Sequence, residues 1–347
     1  AELLVKHPAA KAFVSLAESQ ENACGDGVTG CILLASELMS EAGRLLERGL
    51  HPLILVKGYQ MALSETISLI DERTVSAEGR LEDVARTSLV GRSTENALQH
   101  LSKLISTAVR TIPDSDYERV RMAKAGEGTP ASSRLINGLV LEKKLALERM
   151  PRTLSASKVS VLSCPLELEK TVVAAEIEIN TPEQYEEFIA AEERHIESIT
   201  QKAKASGANV IFSAEGIDQR ILHSLADAGI FAMGNVEASL AEDISKSCGA
   251  RVCDHIDDME DCLGTIESLN HHRLEGPEGV KERTIIEAGA NPGIVTILVG
   301  GTDGVAAEET IRGLYDSLRS TCLAKEEDSV ILGGGSSSKV VSPFFID

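Results

Sequence analysis

A glycine-rich turn near the start of the chain carries side chains that could bind a phosphate and a metal ion. The turn has the sequence Gly25-Asp26-Gly27-Val28-Thr29-Gly30, and an apolar run over 31–35 follows it. Glycines let a backbone take positive φ and approach a ligand, and the unpaired N–H groups that begin a helix attract anions. Asp26 could then hold the divalent cation that accompanies a nucleotide. A tight turn between two helices with a solvated Asp26 explains the loop, taken alone, equally well.

Two common nucleotide-binding loops fit this turn poorly. The spacing of Gly25, Gly27 and Gly30 matches the dinucleotide fingerprint literally, but that fingerprint needs a strand before the loop and an acidic residue at a later strand end. Helical patterns stand on both sides of the turn here, and Glu21-Asn22 precedes it. A protein-kinase glycine loop is also disfavoured, because no Val-Ala-x-Lys strand follows.

A second carboxylate and a second glycine run lie near the end of the chain. Asp316 falls off the apolar stripe of a helix predicted over 306–322, so its side chain is free to point into a cleft. An exposed acid on a helix is the ordinary alternative for Asp316. The run Gly333-Gly334-Gly335 follows that helix.

Cysteine and histidine residues offer a possible metal site that the sequence does not favour. Cys248, Cys253, His255 and Cys262 follow none of the usual zinc-ligand spacings, so we predict structural cysteines with buried side chains. His271 and His272 are predicted to be solvated in a polar loop.

The composition excludes several classes of protein. The 347 residues carry a formal net charge of −20, and the acidic residues are spread along the chain, which argues against nucleic acid as a partner. No stretch has the apolar length expected of a membrane span, which predicts no membrane association. Cysteines without framework spacing and an opening without a signal-like run predict a cytoplasmic protein. The length favours two or three domains.

Hydrophobic periodicity predicts a multidomain α/β chain. Helical spacing covers 10–19, 31–48, 81–89 and 96–112, and a further helix runs from Pro52 to the charged stop at Asp71. Turn residues then mark a boundary, and strands are predicted at 139–141, 159–162 and 172–179. Thr181-Pro182 begins a long helix that stops before Gly207.

The second half of the chain alternates strands with helices. This pattern over 209–253 predicts a small parallel sheet covered by helices. Strands at 284–287 and 294–299, and the helix at 306–322, return the chain towards its first part.

Motifs in all three parts of the chain together resemble one family. The first part of the chain contains His7-Pro8-Ala9-Ala10-Lys11, the glycine turn, His51-Pro52 and Lys57-Gly58-Tyr59. The middle contains Glu192-Glu193-Arg194, Gly207-Ala208-Asn209-Val210 and Glu215-Gly216-Ile217-Asp218. The end contains Asn291-Pro292-Gly293 and Tyr315-Asp316-Ser317-Leu318. In this order, from about residue 7 to 335, the chain resembles the group II chaperonins, which are the archaeal thermosome and eukaryotic TRiC subunits.

The resemblance implies a domain order and a fold. It implies a partial, helical equatorial domain over 1–80 and a mixed α/β intermediate domain over 81–150 and 299–332. It further implies an α/β apical substrate-binding domain with a helical lid protrusion over 151–298, and an equatorial tail over 333–347.

The resemblance also implies ATP and Mg²⁺ as cofactors. Asp26 would hold Mg²⁺, Gly25, Gly27 and Thr29 would cradle phosphates, Asp316 would position the attacking water, and Gly333, Gly334 and Gly335 would line the adenosine side. Such a site suits phosphoryl transfer, in which a protein mainly supplies positioning and charge neutralisation. Because the loop and Asp316 fall in different domains, domain closure would assemble the site.

The function implied is that of a thermosome-like chaperonin subunit, which folds proteins with ATP and binds non-native polypeptides and, in a ring, related subunits. Departures from the family predict impaired ATP turnover. Family subunits carry a further Gly-Pro phosphate loop and an Asn-Asp-Gly aspartate that are expected to be missing here, and Val28 and Gly30 replace hydroxyl residues. The alternative is a non-catalytic holdase or partner-binding protein derived from a chaperonin. Tyr185, Phe188 and Ile189 would contact clients, unless they pack onto the sheet.

Overall fold

The fold is described by a computed structural model for residues 6–92, 95–167, 182–276, 279–301 and 304–333. The strand predicted at 172–179 lies outside these residues, as do Gly334 and Gly335. Within them the chain is a mixed α/β protein with two sheets, which confirms the predicted fold class.

Three helices open the chain: α1 (Pro8–Cys24), α2 (Val28–Glu47) and α3 (Pro52–Asp71). His7 and His51 begin α1 and α3 in the same way, because each ring Nδ1 accepts a hydrogen bond of 3.2 Å from the backbone N–H two residues later. A proline then occupies the first helical turn, where its missing N–H costs nothing. The predicted helices are confirmed, with α1 longer than expected at both ends.

The outer faces of α2 and α3 remain apolar and exposed in the described part of the chain. Leu53 is 72% exposed, Met61 65% and Leu34 64%. By length and composition alone, α3 reaches what a membrane span would need, so the expectation that no stretch does was wrong. One such helix, judged on these two properties, is weak evidence for a span.

A second group of elements builds one core around a small sheet. The helices α4 (Leu81–Leu89), α5 (Leu98–Thr111) and α9 (Val305–Glu327) pack together over the strands β1 (Val120–Lys124), β2 (Arg134–Ile136) and β10 (Val295–Val299). In this sheet β10 lies in the middle, parallel to β1 and antiparallel to β2. Leu101, Ile105, Leu314 and Leu318 are among the buried residues of this core.

The remaining strands form a seven-stranded mixed sheet. Its order is β3-β9-β8-β4-β5-β6, and β7 also pairs with β4. The strands are β3 (Gly138–Leu141), β4 (Thr153–Leu162), β5 (Val210–Ser213), β6 (Phe231–Met233), β7 (Val252–Cys253), β8 (Gly264–Gly276) and β9 (Gly279–Glu287). The predicted parallel unit is confirmed, since β4, β5, β6 and β7 are parallel, but antiparallel strands extend it.

Helices cover this sheet on both faces. Side chains alternate along β5, so that Phe212 joins one core and Ile211 the other. The helix α8 (Ala238–Cys248) packs on the Phe212 side, and α6 (Pro182–Ala205) and α7 (Gln219–Asp227) pack on the Ile211 side. The long helix predicted to begin at Pro182 is confirmed.

The loop predicted at His271 and His272 was wrong, because both residues lie in β8, which pairs along its length with β9. The side chain of His272 is exposed, as expected, whereas that of His271 is not. The His271 ring is buried, with Nδ1 2.9 Å from Thr284 Oγ1 and Nε2 3.3 Å from Glu282 Oε2. Because polar side chains make these cross-strand contacts, the sequence around His271 shows no alternation of apolar and polar residues. The strand β8 was therefore not predicted.

Acidification should weaken this hairpin. Burial lowers the pKa of His271, although the neighbouring Glu282 opposes the shift and Arg152 and His272 add to it. Since the unfolded chain then binds the proton more readily, stability is complete above the ordinary histidine pKa of 6.5 and falls as pH drops through the folded pKa. We expect the thermal midpoint to decrease from about pH 7 to about pH 5. His271→Gln should flatten that decrease; a curve parallel to that of the wild type would contradict this assignment.

Candidate nucleotide site

The glycine turn lies between the end of α1 and the start of α2. Gly25 and Gly27 have φ of 71° and 80°, which favour glycine. Thr29 and Gly30 belong to the first turn of α2, and no described side chain caps that helix. Unpaired N–H groups at a helix start carry partial positive charge. The start of α2 can therefore receive an anion.

The carboxylate of Asp26 is oriented by the turn itself and by α4. Its Oδ1 accepts a hydrogen bond of 2.7 Å from the backbone N–H of Gly27, and its Oδ2 accepts one of 2.5 Å from Ser88 Oγ. These two donors fix the orientation of the carboxylate and the direction in which its remaining lone pairs point.

Asp316 meets the same site through an arginine that the sequence did not indicate. The Nη1 of Arg92 donates to Asp316 Oδ2 at 2.7 Å, and its Nη2 lies 3.7 Å from Asp26 Oδ1. The guanidinium also donates through Nε to the carbonyl of Ser88 at 3.1 Å. Arg92 therefore stands between the two predicted carboxylates and is held in place by the helix that carries Ser88.

Packing between α4 and α9 sets this geometry. Ser317 Oγ donates to the Ala85 carbonyl at 3.0 Å, which pins the two helices together next to Asp316. A Cβ on Gly313 would lie 3.2 Å from the Arg92 side chain, so a small residue one turn before Asp316 leaves room for the arginine. The role of Arg92 could not be assigned from the sequence, because its partner Asp316 lies 224 residues away in the chain.

Of the three glycines predicted to line the adenosine side, Gly333 belongs to the described chain, whereas Gly334 and Gly335 lie outside it. Gly333 is exposed, shortly after a bridge in which Val330 pairs with Val75 beyond the end of α3. Of the four possible zinc ligands, Cys248 and Cys253 are buried in different cores, as predicted for structural cysteines. Among the described residues, no group of three or more Cys, His, Asp or Glu side chains has an arrangement that could hold a metal ion.

The donor set fits a magnesium–nucleotide complex better than a metal held by protein alone. Mg²⁺ keeps several waters and takes one or two carboxylates together with substrate phosphates. Asp26 and Asp316 provide two carboxylates around one guanidinium, and the start of α2 faces the same turn. These residues suit a cation that arrives with phosphate oxygens.

The surface expected to meet clients lies on α6, far along the chain from this site. Tyr185 is 56% exposed and Phe188 36%, whereas Ile189 is half-buried. Further along the helix, Ile196, Ile199 and Ala203 pack into the core of the sheet. The helix thus divides into an end with exposed aromatic side chains and an end that anchors it.

Comparisons with known proteins agree on one family. A family model described as the TCP-1/cpn60 chaperonin family matches residues 1–342. The chain is 33% identical to thermosome subunit alpha of Archaeoglobus fulgidus, over 96% of this chain and 63% of the relative. It is 34% identical to the thermosome subunit of Methanocaldococcus jannaschii, with 96% and 63% covered. Thermosome subunit beta of Desulfurococcus mucosus is 33% identical, with 95% and 68% covered. The chain therefore spans less than two thirds of the length of the first two relatives.

Proposed function

We propose that this chain, which belongs to the TCP-1/cpn60 chaperonin family and within it to the group II chaperonins, binds Mg²⁺ and ATP between Asp26 and Asp316 and holds non-native polypeptides on its apical part. The observation that carries the proposal is that both carboxylates contact Arg92, beside the start of α2, which no side chain in the described part of the chain caps. The relatives are named as thermosome subunits, and we propose the same cytoplasmic chaperonin role, with related subunits as partners in a ring.

Each residue of the site has a distinct task in this proposal. Thr29 and the backbone N–H groups at the start of α2, approached closely through Gly25 and Gly27, would bind phosphate oxygens. Arg92 would add a cation that could bind phosphate oxygens. Asp26, oriented by Ser88, would bind Mg²⁺, which would neutralise phosphate charge when bound. Asp316 would orient the attacking water, and Gly333, Gly334 and Gly335 would line the adenosine side.

Nucleotide binding tests this assignment directly. We expect Asp26→Asn to weaken binding of a fluorescent ATP analogue in the presence of Mg²⁺ by about tenfold or more, because a carboxylate that holds the cation is lost. Asp83→Asn, on the exposed side of α4, is the matched control and should leave the affinity unchanged. Equal affinities for wild type and Asp26→Asn would contradict the proposal.

The domain division is part of the same proposal. We place the equatorial part at 1–80 with a tail at 333–347, the intermediate domain at 81–150 and 299–332, and the apical domain at 151–298. Its support is that α4, α5 and α9 bury side chains in one core, whereas α6, α7 and α8 bury theirs in the two cores of the seven-stranded sheet. Two strands depart from these bounds, because β3 belongs to the seven-stranded sheet and β10 to the core of α4, α5 and α9. A small further core of Ile136, Ile285 and Leu298 joins the two sheets.

Client binding should depend on the exposed aromatic end of α6. Replacing Tyr185 and Phe188 together by serine should reduce suppression of aggregation of a chemically unfolded client several-fold, because apolar area available to the client is removed. The control is the pair Leu53→Ser and Leu63→Ser on the exposed face of α3. Loss of protection only in that control pair would show that clients bind α3 instead.

A further inference from the structure

Besides Arg92, which follows α4, a second arginine contacts the region of the glycine turn. It is Arg319, which lies on α9 one turn after Asp316. Arg319 Nη2 donates to the carbonyl of Asn22 at 3.1 Å, and Nη1 lies 3.7 Å from Glu21 Oε1. The guanidinium carbon also stands 5.2 Å from the centre of the Tyr117 ring. The side chain of Arg319 is only 22% exposed. Through these contacts, Arg319 on α9 joins the end of α1 to the turn before β1.

The backbone of the turn rests on the stem of the same side chain. A Cβ built on Gly25 would lie 2.6 Å from Arg319 Cβ, closer than real Cβ atoms approach. Gly25 also has a φ of 71°, which disfavours other residues. Gly25, the residue before Asp26, therefore packs directly against α9.

The polar contact is favourable for a general reason. Asn22 lies in the last turn of α1, where backbone carbonyls have no partner within the helix and carry partial negative charge. A cation at this end satisfies a carbonyl and complements the helix dipole. The exposed pairing with Glu21, at 3.7 Å, adds little, since such ion pairs are weak in water.

Few other contacts of the described chain hold α1 against the rest of the molecule. It packs mainly on α2 and on α9, and its contact with α9 occurs where Arg319 lies. The position of Asp26 relative to Asp316 is thus set from both sides of the turn, by Arg92 on one side and by Arg319 on the other.

We propose that Arg319 is a positioning residue that clamps the end of α1 and the glycine turn onto α9, so that Asp26 and Asp316 are held together before any nucleotide arrives. The roles of the two carboxylates rest on the proposed function, whereas the clamp itself is a property of the empty protein. Arg319 touches neither carboxylate in the contacts described above and acts through the backbone of the turn.

Hydrogen exchange of the full chain, without nucleotide, tests the clamp. Arg319→Met keeps the unbranched stem under Gly25 and removes the guanidinium; Arg312→Met, an exposed arginine on the same helix, is the matched control. We expect amides over 22–30 to exchange about five- to tenfold faster in Arg319→Met, as loss of a cation–π contact and a charge-assisted hydrogen bond implies, and unchanged in Arg312→Met. Arg319→Lys, which keeps the charge, should restore part of the protection.

Nucleotide affinity, measured on the same variants, separates the clamp from the proposed function. A several-fold weaker affinity in Arg319→Met, with the thermal midpoint unchanged, supports a positioning role. If Arg319→Met exchanges faster at 22–30 but the wild type itself binds no nucleotide, the clamp is supported and the proposed nucleotide function is contradicted. Unchanged exchange at 22–30 overturns the clamp, and so does faster exchange spread equally over α4, α5 and β10, because Arg319 would then be a general packing residue.

Discussion

ATP hydrolysis by this chain should be at least about a hundredfold slower than by an archaeal thermosome subunit assayed alongside it. Removing one preorganised electrostatic group from an active site typically costs two to three orders of magnitude in rate. Within the turn, Val28 and Gly30 stand where the resemblance implies hydroxyl residues that would contact phosphate or metal, so such groups are expected to be lost.

Steady-state turnover with Mg²⁺ and ATP, measured beside suppression of client aggregation, tests this expectation. Asp316→Ala is the informative variant, and Asp83→Ala on α4 is its control. Robust turnover that Asp316→Ala abolishes would show that Asp26, Arg92 and Asp316 suffice for hydrolysis. Negligible turnover together with full client protection would favour the non-catalytic holdase.

Local signals predicted most of the helices and the parallel strands. His51-Pro52 fixed the start of α3, and Pro182 that of α6, because caps and first-turn prolines act within a few residues. The alternation over 209–253 gave the parallel strands for the same reason. By contrast, β1 and β2 were not predicted. The strand β1 pairs with β10, from Val120 opposite Val295, so its stability depends on residues far away in the chain.

The candidate site, too, was predicted only in part, because some of its residues depend on contacts between distant parts of the chain. Asp26 and Asp316 came from motifs that resemble a family, and the structure places both beside one guanidinium. Arg92 and Arg319 have no motif of their own. Their importance arises from the packing of α4 on α9 and of α1 on α9, which only a folded chain contains. The exposed apolar face of α3 is a further case, since helical periodicity predicts the helix but cannot tell what covers it.

Replacing Phe212 by alanine should destabilise the seven-stranded sheet by about 3–5 kcal/mol, because the substitution leaves a large cavity in the core. Phe212 is fully buried, and its ring centre lies 6.0 Å from that of Phe231 at an interplanar angle of 60°, a tilted pair that alanine cannot replace. Phe188→Ala, on the exposed end of α6, is the matched control and should change stability by less than about 0.5 kcal/mol.

The same variant tests whether nucleotide and client functions reside in separate units. Phe212 belongs to a core that includes no buried residue of α4, α5 or α9, whereas Ser88 and Asp316 lie on α4 and α9. Because a domain is stabilised by only about 5–15 kcal/mol, the sheet should unfold at a much lower urea concentration in Phe212→Ala, with client protection lost first. Binding of the ATP analogue should persist through that transition. If nucleotide binding and sheet structure were lost in one step, the two cores would be a single cooperative unit, and the division at 151 and 298 would be wrong.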